Sequence, residues 1–136
     1  MNKSCPLCNV HPENILWSDA HCRVVLIKDA DYPVFCRVVW NSHVKEMTDL
    51  APEQRNHLMN VVFAVESVLR ELLTPAKINL ASLGNQTPHI HWHVIPRYED
   101  DAHFPNPVWS ERLRNSTVRI APELDVLQSR LSERLG

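Results

Sequence analysis

At 136 residues with 44% hydrophobic side chains, the chain is long enough for one ordinary core and too short for two, so a single domain over residues 1–136 is expected. Its 14 basic and 16 acidic residues leave a formal charge of −2 and form no Lys/Arg run that would follow a polynucleotide backbone, which excludes long nucleic acids as expected partners. No apolar stretch is suited to secretion or long enough for a bilayer span, so the expected location is cytoplasmic and no membrane partner is expected.

The four cysteines, at positions 5, 8, 22 and 36, read in a reducing compartment as thiols or metal ligands rather than as two disulfides. Cys22 and Cys36 sit in apolar runs and are expected to be buried thiols. Residues 14–17, 22–27 and 35–40 are rich in β-branched and aromatic side chains and predict three antiparallel strands. After Asp49 and Pro52, the positions Leu58, Val61, Val62, Val65, Val68, Leu69 and Leu72 recur at helical spacing, which predicts a long helix over one sheet face, ended by Pro75. Residues 77–83 and 89–97 predict two further strands, joined by the loop Gly84-Asn-Gln-Thr-Pro88. An irregular stretch with Phe104 and Trp109 follows, then a closing helix carrying Leu124, Leu127, Leu131 and Leu135. This order of elements predicts an α+β fold with a mainly antiparallel sheet.

Eight histidines are present, and three of them fall in His89-Ile-His-Trp-His93. Strand alternation predicts His89, His91 and His93 on one face and Ile90, Trp92 and Val94 on the other. A single histidine there would read as strand polarity; three in register point to chemistry, with phosphate binding and metal binding both open on this feature alone. Upstream, Asn79-Leu-Ala-Ser-Leu-Gly-Asn-Gln-Thr87 sets small and amide residues just before the strand, a composition suited to phosphate oxygens. Gly84 is the only glycine before Gly136, marking either a close approach of backbone to ligand or a simple hairpin turn.

The order Asn-x6-Gln-Thr, then His-x-His-x-His and an apolar pair, resembles the signature of the histidine-triad (HIT) superfamily. The long helix, the strand before the loop and His43-x5-Asp-Leu50 extend the resemblance over residues 5–97, leaving 98–136 as a C-terminal extension. The resemblance implies a bacterial HIT protein with a five-stranded antiparallel sheet, a long helix and a C-terminal helix, paired as a homodimer. It implies a hydrolase or transferase cleaving at the α-phosphate of a dinucleoside polyphosphate or nucleoside phosphoramidate, with His91 as nucleophile and a nucleotidyl-histidine intermediate. His93 would then bond a phosphate oxygen, and His89 would orient the loop or move a proton. Asn79, Gly84, Gln86 and Thr87 would contact phosphate, and Asp29, in preference to Asp31, the ribose hydroxyls.

Some bacterial members combine a Cys-x-x-Cys pair with the equivalents of His43 and the first triad histidine. The resemblance therefore implies a structural zinc site at Cys5, Cys8, His43 and His89, which would take His89 out of acid–base work. A thioredoxin-like use of the cysteine pair lacks the preceding strand. No cofactor is expected to be needed for the chemistry itself. The sequence departs from the family pattern at Phe35, where many members have histidine, at Ala81, where glycine is common, and in a loop one residue shorter between Asn79 and His89. These departures keep a second class of function in view, a nucleotide-binding or sensing module without catalysis, and the cysteines and histidines keep a third, a purely metal-binding protein.

Overall fold

The computed structural model describes residues 4–136; the first three residues of the expected domain lie outside the described residues. Five strands form one antiparallel sheet: β1 (Ile15–Ser18), β2 (Cys22–Ile27), β3 (Phe35–Trp40), β4 (Lys77–Ala81) and β5 (His91–Arg97). Their spatial order is β1-β2-β3-β5-β4, so β5 lies between β3 and the edge strand β4.

Strand pleating divides the residues of this sheet into two populations. Cys22, Val24, Cys36, Val38, Trp40 and Val94 are buried together in the main core. Above them runs helix α1 (Pro52–Leu73), whose buried residues are Leu58, Val61, Val62, Val65, Val68 and Leu69. That is the helical stripe read from the sequence, except that Leu72 is only partly buried. Pro52 occupies the first turn, where its missing N–H leaves no helical bond unmade, and Gln54 Oε1 accepts from the Ala51 N–H at 2.8 Å. Thr74 closes the helix with a left-handed backbone (φ 47°) and an N–H donated to the Arg70 carbonyl, and Pro75 blocks further turns. Helix α2 (Leu124–Leu135) buries Leu127 and Leu131 and packs on α1 and β1.

The other sheet face carries Arg23, Arg37, His91, His93, Ile95 and Arg97 by the same alternation. The chain after β5 is tied close to it by a buried ion pair, Arg97 Nε to Asp101 Oδ2 at 2.8 Å. Asp101 also accepts backbone N–H groups from Tyr98, His103 and Phe104, so its residual oxygen capacity is filled by local donors. This knot fixes the direction of residues 102–110, which carry Trp109 to the histidine face. No helix among the described residues is long and apolar enough to cross a membrane.

The strands expected at 77–83 and 89–97 are shorter than expected, ending at Ala81 and starting at His91. Gly84, at φ +72°, and the tight His89 N–H to Thr87 carbonyl bond of 2.8 Å bend the intervening chain out of the ladder.

Candidate active site

His91 and His93 share a face of β5, with ring centroids 5.0 Å apart and nearly perpendicular planes. His91 Nδ1 lies 2.7 Å from the carbonyl oxygen of His89. A carbonyl can only accept, so Nδ1 carries the proton and the lone pair of the neutral ring sits on Nε2. Burial lowers the His91 pKa; the bond to His89 opposes that, and the positive charge of Arg37 adds to it. His91 is thus a neutral imidazole of one defined tautomer near neutral pH. His93 lies edge-on to both Phe35 (5.6 Å) and Trp109 (4.9 Å). Burial, then the charges of His91 and Arg37, push its pKa down to about 4.

His89 does not join this pair. The alternation that groups all three histidines fails because the ladder begins at His91, and the His89 ring stands instead beside His43 at 5.1 Å. Its Nε2 donates to the Trp40 carbonyl at 2.5 Å, which leaves its Nδ1 lone pair facing Cys5, Cys8 and His43. With both ring nitrogens engaged, His89 has no free atom for the proton transfer that one sequence reading assigned to it.

The four side chains around His89 Nδ1 form a compact donor set. Cys5 Sγ to His89 Nδ1 is 3.4 Å, Cys8 Sγ to His43 Nδ1 is 3.3 Å, Cys8 Sγ to His89 Nδ1 is 3.6 Å and the two Nδ1 atoms are 3.2 Å apart. A tetrahedral zinc ion with ordinary bond lengths separates two nitrogens by ~3.3 Å and sulfur from nitrogen by ~3.6 Å. The donor set therefore fits such an ion in both chemistry and spacing. Arg23 braces the knuckle by donating to the Leu7 carbonyl at 2.6 Å. Asp19, Cys22 and His57 also come together, but Asp19 Oδ1 is occupied capping the β1–β2 turn through the His21 and Cys22 N–H groups, and Cys22 is fully buried.

A cleft of about 360 Å³ opens beside His91, lined by His89, Lys45, Met47, Ser82, Gly84 and Pro88 among others. It joins the glycine loop to His91. A Cβ on Gly84 would sit 3.5 Å from the Thr87 carbonyl, an ordinary contact, so the need for glycine there comes from its left-handed backbone. Ser82 lines the cleft; Gln86, which is exposed, and Thr87 do not. Asn79 lies on β4 opposite Ile95, two residues along from the Ala81–His93 pair, and its Oδ1 accepts from Arg97 at 2.8 Å. Asp29 is exposed at the end of β2 with Oδ1 turned to the Asp31 N–H, whereas Asp31 is taken up by Arg112 (2.5 Å) and Ser116 (2.8 Å). Of the two acids, only Asp29 keeps a carboxylate oxygen uncommitted to another side chain. A larger cleft of about 450 Å³, between Tyr32, Leu73, Tyr98 and Ile120, contains no histidine.

The sequence profile of the HIT domain matches residues 9–100. The chain belongs to the HIT family. Solved HIT structures bear this out: a histidine triad protein of Bradyrhizobium japonicum is 30% identical with a TM-score of 0.72, covering 94% of this chain and 98% of its own. One from Marinobacter aquaeolei is 27% identical with a TM-score of 0.70 over 93% and 95% of the two chains. Another, from Sinorhizobium meliloti, is 27% identical with a TM-score of 0.70 over 90% and 89%. No curated protein sequence matches the chain. HIT proteins generally bind nucleotides, and many hydrolyse or transfer nucleotidyl groups.

Within this HIT domain, Phe35 is buried and packs edge-on against His93. Sequence reasoning missed Arg37, Arg97 and Asp101. Arg37 was legible as an arginine inside the otherwise apolar Phe-Cys-Arg-Val-Val-Trp strand; the pairing of Arg97 with Asp101 needed the fold.

Proposed function

We propose that this protein is a nucleotide hydrolase or transferase acting at the α-phosphate of a dinucleoside polyphosphate or a nucleoside phosphoramidate. The observation that carries this reading is the 2.7 Å bond between His91 Nδ1 and the His89 carbonyl, which presents Nε2 as a nucleophile on a sheet face beside a glycine loop.

In this mechanism His91 Nε2 attacks the α-phosphorus, forming a P–N bond as the P–O or P–N bond to the leaving group breaks. The leaving group departs with a proton from solvent or an acid in the cleft. Water then attacks the same phosphorus, the P–N bond to His91 breaks, and nucleoside monophosphate is released with His91 restored. His93, neutral near pH 7, bonds a non-bridging oxygen, and backbone N–H groups of the Gly84 loop share the charge. Asp29 accepts from the ribose hydroxyls.

Cys5, Cys8, His43 and His89 would hold a zinc ion. With four protein ligands it is closed to water, and the chemistry it supplies is structural: it clamps the N-terminal knuckle to the segment that carries the His91 acceptor. Two copies of the chain would pair as a homodimer, a reading supported by the solvent edge of β4.

The test is AMP release from adenosine 5′-phosphoramidate and diadenosine tetraphosphate, with His91→Asn beside the wild type. Release that the variant abolishes supports the reading; no release from a broad panel of adenosine and guanosine substrates removes it. The second reading, a binding module without turnover, draws on Phe35 in the place of a histidine and would be favoured by tight AMP binding with no product.

A further inference from the structure

Three arginines stand on the histidine face of the sheet, and two of them are fully engaged. Arg23 donates to Asn41 Oδ1 (2.9 Å) and to the Leu7 carbonyl (2.6 Å). Arg97 donates to Asp101, to Asn79 and to the Asn106 carbonyl. Arg37 has no hydrogen-bond acceptor and no carboxylate partner among the described residues, although its Nε is buried.

Its position is fixed by register. Arg37 is directly opposite His93 in the β3–β5 ladder, while Val39 is opposite His91. Directly opposed residues on one face hold their Cβ atoms about 4.5–5.5 Å apart, so the guanidinium of Arg37 works at the level of the two histidines. Its other cross-strand neighbour is Val25, and Phe35 and Val39 flank it along its own strand. Arg37 is half-buried among apolar groups and imidazoles, and its Nε is out of water with no acceptor from the protein, so the fold alone leaves that donor unsatisfied. Burial does hold the Arg37 pKa below the ordinary arginine range.

We infer that Arg37 is a phosphate-binding residue, its guanidinium taking the non-bridging oxygens of the phosphoryl group seated over His91. The inference rests on the nucleotide reading of the site. A planar fork of donors matches two phosphate oxygens at once, and the charge that spreads over those oxygens during phosphoryl transfer is what a fixed cation stabilises. It also divides the labour at the site: His91 and His93 stay neutral, as nucleophile and hydrogen-bond partner, and Arg37 supplies the permanent positive charge. A pH-independent cation thereby stands beside His93, whose low pKa its field helps to hold.

Titration calorimetry with AMP and with adenosine, on wild type, Arg37→Leu and Arg37→Gln, tests the inference, with a thermal melt of each variant to check folding. The expected result is a rise of at least tenfold in the AMP Kd, an adenosine Kd unchanged within about twofold, and a weaker salt dependence of AMP binding than in the wild type. A folded variant that binds AMP as tightly as the wild type overturns the inference, as does loss of folding in both variants, which would make Arg37 a structural residue. Because the readout is binding, the two readings fail separately. Wild type that binds AMP through Arg37 but turns nothing over sinks the hydrolase and leaves Arg37 standing. Turnover with Arg37-independent AMP binding sinks only Arg37.

Discussion

His91 and His89 are joined by one hydrogen bond, Nδ1–H to backbone carbonyl at 2.7 Å, and through it the His91 ring is referenced to the cysteine–histidine cluster that the His89 side chain completes. The backbone of one residue sets a tautomer while its side chain faces a metal-type donor set. Geometry at the His91 ring therefore depends on how firmly His89 is held.

The first prediction follows from the tautomer. His91→Asn keeps a polar group of similar reach but has no nucleophilic nitrogen, so AMP release should fall by about three orders of magnitude or more. The melting temperature should stay within a few degrees, because His91 contributes one side-chain bond to the fold. Single-turnover chromatography checks the first number and calorimetry the second; a variant with near wild-type turnover would require another nucleophile.

The second prediction concerns the cluster. Protein purified without chelator should carry about one zinc per chain by elemental analysis, and Cys8→Ser should lose it and melt on the order of 10 °C lower. Cys8 and Cys5 are 81 or more residues away in sequence from His89, so an ion held there would tie the N-terminal knuckle to the start of β5 in addition to the sheet pairing that already links β1 to β5. Metal-free wild type with an unchanged melt in Cys8→Ser would show the four side chains holding together without an ion.

Much of this was legible before any coordinates. The strand and helix stripes held because one face of each element is apolar at the right period, as Leu58, Val61, Val62 and Val65 show. What failed was local: Pro88 and the His89–Thr87 turn break the ladder two residues early, and alternation arguments lose force once a chain leaves the sheet. The Cys5, Cys8, His43 and His89 grouping came from family resemblance, since nothing in the spacing of residues so far apart could bring them together. Arg97 and Asp101 were invisible for the opposite reason. They are close in sequence and look like ordinary surface charges until the fold buries them, leaving Arg97 only 2% exposed.

That buried pair gives the third prediction. Removing one partner leaves the other charge uncompensated, so Asp101→Asn should destabilise the protein by about 3–5 kcal/mol in urea unfolding. Burial alone would raise the Asp101 pKa, but hydrogen bonds from Arg97 and from the Tyr98, His103 and Phe104 N–H groups outweigh it and hold the carboxyl far below the usual range. A depressed carboxylate contributes stability that is present above its unfolded pKa of about 3.9 and lost as pH falls below it. His93 acts at higher pH with the same sign. Its folded pKa of about 4 lies below the 6.5 of a free imidazole, so the unfolded chain binds more protons between these values. Stability should therefore decline from pH 6.5 downward, by roughly 3 kcal/mol from His93 by pH 4, and fall further in stronger acid as Asp101 protonates. His93→Asn should flatten the upper part of that slope; an unaltered slope would move its origin elsewhere.

The last prediction isolates Trp109, whose ring meets the His93 ring edge-on at 4.9 Å although half of the tryptophan is exposed. Burial is the largest cause of the low His93 pKa, ahead of the charges of His91 and Arg37, and Trp109 is a ring of the C-terminal extension that covers His93. Trp109→Ala should admit water to His93 and raise its pKa from about 4 toward 6.5, while the two neighbouring groups keep it short of the free value. An imidazole titration by NMR reads this directly, with His93→Asn identifying the resonance. Arg37→Leu should raise the same pKa by removing a charge rather than by adding water, so its effect should shrink at high salt while that of Trp109→Ala should not. If Trp109→Ala leaves the His93 titration where it was, Phe35 and the sheet alone desolvate the ring, and the extension has no part in tuning it.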